Sequence, residues 1–268
     1  MKYLYLTISS IILAYCVVIL VMYFYQRSLL YHPSENNYAN DKIEFDYREI
    51  FIEVTENIKL KSWFIKKDLK KNKTILFFHG NAGSLINRVH KLNELDKLNV
   101  NILLISWRGF SENLGKPSEK NLYHDAKKSV EWLNNIGVDN KNIVLYGESL
   151  GTGVATELGQ ENSFAGIILE SPFTSIAEAA KIYYPYLPIN LILKDRYDSI
   201  KKIQNINIPI LIMHGKKDDI VPFRMGQELF QKANEPKNSY FSENDDHMME
   251  FNEQLLNSIE KFLSFNTQ

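Results

Sequence analysis

The run from Asn142 to Gly153, NIVLYGESLGTG, constrains this chain more than any other stretch. Its first half, through Tyr146, is a compact apolar segment of the kind that forms a buried parallel strand. Its second half is G-x-S-x-G, with Gly147, Ser149 and Gly151 at fixed spacing. Val154-Ala155-Thr156-Glu157-Leu158 then continues as a helix. In a strand–turn–helix of this type the chain passes so close to itself that the residues two before and two after the serine must be small. The turn strains the serine backbone and lifts its Oγ above the sheet, beside the first free N–H groups of the helix. The motif alone is equally compatible with an ordinary glycine-rich turn, so its meaning depends on the rest of the chain.

The rest of the chain supplies a rhythm. Ile50 to Val54 and Leu60 to Ile65 read as strands around a turn at Glu56-Asn57, which predicts an antiparallel hairpin. Thr74 to Phe78 is a continuous apolar strand ending in His79-Gly80-Asn81-Ala82-Gly83. Ile86, Val89, Leu92, Leu95 and Leu98 then recur at helical spacing. Val100 to Ile105, Ala165 to Leu169, Ile208 to Met213 and Ser239 to Phe241 are further strands. Helices are expected over 122–133, over 223–233 after Pro222, and over 248–265. Regular alternation from Thr74 onward implies an α/β fold, a mostly parallel eight-stranded sheet with helices on both faces and right-handed crossovers. Residues 173–207 break the rhythm with a 35-residue connection, read as a small lid-like insertion.

From Tyr3 to Tyr25 there is no charged residue, a run long enough to cross a bilayer core as a helix. Tyr3, Tyr5, Tyr23, Phe24 and Tyr25 cluster at its ends, as interfacial aromatics do. The exit, Tyr-Phe-Tyr-Gln-Arg, has no small-x-small cleavage site, which favours an uncleaved anchor over a signal peptide. The expected organisation is a single-pass N-terminal transmembrane anchor over 1–26, a tether over 27–42 and a globular domain over 43–268. The side of the membrane that carries the domain stays open, because Lys2 and the amino terminus stand against only Arg27 and Lys42. Net charge is −1, which gives no basis for a nucleic-acid partner. The single cysteine, Cys16, excludes an intrachain disulfide framework. No H-E-x-x-H, cysteine pair, G-x-G-x-x-G or P-loop lysine is present, so neither a metal nor a cofactor is expected.

Six segments, QRSLLYHPS, FFHGNAGS, SWRGFSENLGKPSE, LYGESLGTGVA, ILESPFTS and HGKKDDIVP, occur in this order between about residues 26 and 222. Through them the chain resembles the α/β-hydrolase superfamily. Within it, the resemblance is to membrane-anchored α/β-hydrolase-domain proteins whose domain is serine aminopeptidase-like or esterase-like. Such proteins include depalmitoylases, acylglycerol lipases and lysophospholipases. The resemblance implies a serine hydrolase in which a base and an orienting carboxylate serve Ser149.

In this fold the order is Ser, acid, His. His247 is the one histidine after His214, which selects it as the base. Asp245 stands two residues before it, where relatives often have glycine. Asp218 and Asp219 both follow the strand that ends at Met213. The resemblance places the acid on Asp218, with Glu170 as an alternative on the preceding strand. The oxyanion hole is expected from the backbone N–H groups of Leu150 and Asn81. His79 and His214, each at a strand end before glycine, read as structural. The expected substrate is lipid-like or acylated, a small molecule or a protein, cleaved as an ester or thioester. An aminopeptidase-like amidase and a silent scaffold are the alternatives. Tyr183 to Leu193 is expected to offer an apolar wall to an acyl chain, including Leu191, Ile192 and Leu193.

Overall fold

The computed structural model describes residues 1–33 and 42–265. Eight strands form one sheet: β1 (Arg48–Thr55), β2 (Ile58–Ile65), β3 (Thr74–Phe78), β4 (Asn101–Ile105), β5 (Ile143–Glu148), β6 (Gly166–Glu170), β7 (Ile210–Gly215) and β8 (Lys237–Ser242). Their spatial order is β8-β7-β6-β5-β3-β4-β2-β1. The β1–β2 and β2–β4 pairs are antiparallel and the other five are parallel. The parallel strands are apolar on both faces for a geometric reason: successive residues point to opposite sides, and both sides are covered. Leu76, Phe78, Leu103, Ile105 and Leu145 join one core, while Ile75, Phe77, Ile102, Leu104, Val144 and Tyr146 join the other.

Helices α3 (Glu119–Asn135), α4 (Leu150–Gly159) and α8 (Phe223–Lys232) cover the first face through Leu122, Leu133, Val154, Leu158 and Leu229. Helices α2 (Val89–Asp96) and α9 (Glu253–Phe265) cover the second through Val89, Leu92, Leu95, Leu255 and Ile259. Ser118 caps α3 by accepting from the Asn121 N–H, so that helix begins three residues earlier than its apolar periodicity suggests. The closing helix starts at Glu253 rather than Met248. Met249 has a positive φ, and the Asn252 side chain accepts from the Leu255 N–H as a cap. The five residues thus left out of the helix, 248–252, follow directly on His247 at the end of the sheet.

The N-terminal helix, α1 (Lys2–Leu30), is long and apolar enough to cross a membrane, and none of its residues is fully buried. Of the expected tether, residues 34–41 lie outside the described residues, while 27–30 complete α1 and His32–Pro33 pair in parallel with Ala82–Gly83. Residues 173–207 hold three short α-helices, α5 (Ile176–Tyr183), α6 (Ile189–Ile192) and α7 (Ser199–Lys202), and a 3-10 turn over Ile203–Asn205. Parallel strands place all their C-terminal ends on one side of the sheet, so the loops after β3, β5, β6, β7 and β8 converge there.

Candidate active site

Ser149 stands at the junction of β5 and α4 with φ 49° and ψ −113°, a conformation that L residues rarely adopt. The surrounding packing enforces it. A side-chain carbon on Gly147 would come within 2.5 Å of the Gly151 carbonyl oxygen, and one on Gly151 would overlap the Phe78 carbonyl. Both glycines are therefore required by the close passage of α4 over β5 and β3. The Ser149 N–H donates to the Glu170 carbonyl at 2.9 Å, tying the turn to the next strand.

Three sequence-distant side chains meet here. His247 Nε2 lies 2.9 Å from Ser149 Oγ, and its Nδ1 lies 2.8 Å from Asp218 Oδ2. The loop after β7 holds Asp218 by its own backbone: the Ile220 and Val221 N–H groups donate to Oδ1 at 2.9 and 2.7 Å. Burial by itself would raise the Asp218 carboxyl. Hydrogen bonds from His214 and His247, with the nearby His247 imidazole and the Val221 N–H, outweigh it and hold the group well below the usual carboxylate range. The carboxylate is thus ionised at neutral pH and accepts from the His247 Nδ1–H, leaving Nε2 as the acceptor for the serine proton.

Asp219 is exposed and only its carbonyl is engaged, by the Tyr183 hydroxyl. Glu170 is buried and bonded to Lys91 Nζ at 2.6 Å and to the Tyr146 hydroxyl at 2.7 Å. Asn81 and Leu150 line the same cavity as Ser149. Asn81 is also fixed by the end of α1 and the residues after it: its Nδ2 donates to the Leu30 carbonyl, and its own carbonyl accepts from the His32 N–H, both at 2.8 Å. His79 is buried beneath this loop, with Nδ1 2.8 Å from the Gly80 carbonyl, and desolvation followed by the Arg88 charge pushes its pKa down to about 3. His214 Nε2 lies 3.0 Å from Asp218 Oδ2 and 2.9 Å from the Val221 carbonyl, so its structural bond is made to the acid loop itself.

Two parts of the site go beyond what the sequence announces. One is a buried ionic cluster beneath the serine. Glu148, the residue before Ser149, binds Arg88 at 2.6 Å and Lys91 at 2.9 Å, and Lys91 also binds Glu170. Burial works against the charge on Lys91, but the two glutamates prevail and raise its pKa. Burial likewise opposes ionisation of Glu148, and Arg88 and Lys91 overcome it, taking that carboxyl well below its ordinary value. Arg88 further donates to the Ala82 carbonyl, joining the cluster to the loop that carries Asn81. Arg88 immediately precedes α2 and Lys91 lies in its first turn, positions whose charged residues would ordinarily be assigned to solvent.

The other part is the wall of a cavity of about 250 Å3 above Ser149. Tyr183, Tyr184, Leu187, Ile189, Ile192 and Leu193 line it, as the apolar run of the insertion suggests. Leu191 departs from that expectation: it is 86% exposed and faces away. On a four-residue helix, neighbours one position apart point in different directions. The opposite wall comes from α1, through Met22, Gln26, Leu29 and Leu30.

The sequence pattern of the prolyl oligopeptidase family matches residues 108–268. An uncharacterized protein of Mycobacterium tuberculosis is 35% identical over 223 residues, covering 82% of this chain and 79% of the relative. A lysophosphatidylserine lipase of Danio rerio is 33% identical over 195 residues, 65% of this chain and 51% of that longer protein. Among solved structures, an esterase of Pyrococcus furiosus superposes with a TM-score of 0.70 at 21% identity, covering 88% of this chain and 98% of the esterase. That likeness concerns the fold.

Proposed function

The chain belongs to the prolyl oligopeptidase family of the α/β-hydrolase superfamily, and from that membership we propose that it is a serine hydrolase of acyl esters or thioesters, held at a membrane by α1. The observation that carries the reading is the continuous hydrogen-bonded chain Ser149–His247–Asp218 opening into an apolar cavity. Ser149 Oγ attacks the acyl carbonyl carbon as its proton passes to His247 Nε2. Asp218 keeps the imidazole in the receiving tautomer and balances the imidazolium. The N–H groups of Leu150, at the start of α4, and of Asn81 meet the developing oxyanion. Collapse expels the alcohol or thiol, which takes the proton from His247 and leaves an acyl-enzyme on Ser149. Water, deprotonated by His247, then releases the acid and restores the serine.

The choice of an acyl chain over a peptide rests on the cavity lining: besides Gln26 and Asn81, the groups around Ser149 are aliphatic or aromatic. A lysophosphatidylserine lipase among the relatives supports it. The family description favours amide cleavage as the second reading. The deciding assay compares kcat/KM for butyrate, octanoate and palmitate esters with that for an alanyl or prolyl amide, in detergent. Medium or long esters are expected to lead; a preference for the amide reverses the assignment. Protein that ignores every substrate and a fluorophosphonate probe as well is a scaffold instead.

A further inference from the structure

The insertion grips the C-terminal half of α1, in parallel order: contacts move up the insertion as they move up the helix. Arg27 pairs with Asp195 at 2.8 Å. Gln26 donates to the Ile192 carbonyl and accepts from the Lys194 N–H. Lys194 Nζ lies 3.9 Å from the centre of the Tyr23 ring. Ile19 and Met22 pack against the cluster formed by Ala177, Leu187 and Ile189. Lowest of all, the Tyr15 hydroxyl donates to the Tyr186 carbonyl at 2.6 Å.

This order fixes a depth. The uncharged run of α1 is bounded by the charges of Lys2 and Arg27, and Lys2 to Ala14, below the grip, is 13 residues. At the helical rise they span about 20 Å, whereas a bilayer core is about 30 Å thick. For this uncharged run to cross with Lys2 at the far interface, the lower end of the insertion must lie about 10 Å inside the near leaflet. The side chains there suit that position. Ile182, Tyr183, Tyr186 and Leu191 are large, apolar or aromatic, and exposed. Lys181 is paired with Glu178 and has the length to reach the headgroups. Irregular backbone at such depth requires partners from the protein, and the side chains of Tyr15 and Gln26 on α1 supply them to Tyr186, Ile192 and Lys194.

We infer that the insertion is a second membrane-embedded element, and that the seam between it and α1 carries a lipid acyl chain from the near leaflet to Ser149. The inference rests on the serine-hydrolase reading for its end point and on the length of α1 for its depth. The cavity is bounded on one side by Met22, Gln26 and Leu29 and on the other by Leu187, Ile189 and Ile192, and it ends at Ser149. A chain following this path stays against apolar surface and needs no passage through water.

The test uses the full chain with Cys16→Ser, which removes the single cysteine, and Leu191→Cys carrying a bimane fluorophore, in phosphatidylcholine vesicles containing doxyl-labelled lipid. A bimane at Lys71→Cys, on the loop before β3 and so at the opposite end of the sheet, is the reference. Lipid nitroxides are expected to quench the probe at 191 at least three-fold more than the probe at 71, with aqueous iodide giving the reverse order. Equal iodide quenching at the two positions overturns the embedded insertion. Fluorophosphonate labelling of Ser149 on the same vesicles separates the two readings. Labelling without lipid quenching sinks the membrane path alone, whereas lipid quenching without labelling removes its catalytic end point.

Discussion

Ser149 divides the molecule into two regions of opposite character. Beneath it, Arg88, Lys91, Glu148, Glu170 and Tyr146 form a buried ionic cluster in which every charge has a partner of opposite sign. Above it, α1 and the 173–207 insertion enclose an apolar cavity, and Tyr15 and Gln26 of α1 bond the backbone of the insertion while Arg27 pairs with its Asp195. The lower region is built on strands and tolerates little displacement, because an unpaired buried charge costs several kcal/mol. The upper region is held by a few bonds between two long-separated segments. On the proposed function, chemistry that needs sub-ångström geometry would sit on the first, and access and chain-length selection would fall to the second.

The comparison can be broken at four places. Replacing Ser149 with Ala is expected to abolish fluorophosphonate labelling and lower turnover by about 10⁴-fold or more; persistent labelling at another serine moves the site elsewhere. Asp218→Asn leaves the geometry in place but favours the wrong imidazole tautomer, so kcat should fall about 10³–10⁴-fold with KM little changed. Asp219→Asn serves as its control within about two-fold, since its exposed side chain lies outside the hydrogen-bonded chain. A larger loss at 219 than at 218 would exchange their roles.

Lys91→Met probes the lower region by leaving Glu148 and Glu170 without their shared cation. Breaking a buried pair on one side costs about 3–5 kcal/mol, or roughly 6–20 °C in Tm for a domain of this size. A melting curve that matches the parent within a degree would show the cluster to be dispensable. Met22→Trp, on the α1 wall, should produce the smallest and most selective effect. It should lower kcat/KM for palmitate esters about ten-fold and for acetate less than two-fold. An equal loss for both chain lengths would mean that the cavity is a solvent space rather than an acyl site.

Much of this was legible from residue order alone. Gly147 and Gly151 announce the turn because the constraint on them is steric and lies between segments close in sequence or adjacent in the sheet. The alternation of apolar runs and helical periodicity yields the eight-stranded sheet, since burial on both faces leaves strands no polar positions to spare. His247 follows from its place after the last strand, and Asp218 from the motif that contains it. The start of α9 was less visible, because a cap such as Asn252 competes with apolar periodicity that runs past it. Charge cannot announce its own burial: Lys91 and Arg88 look like solvated residues until Glu148 and Glu170, 57 and 79 positions beyond Lys91, are brought beneath them. In the same way α1 reads as a separate apolar span, because Gln26 and Tyr15 find their partners 166 and 171 positions away. Local pattern records what a residue's immediate neighbours require, whereas contacts across such separations exist only once the sheet has closed and set the two segments side by side.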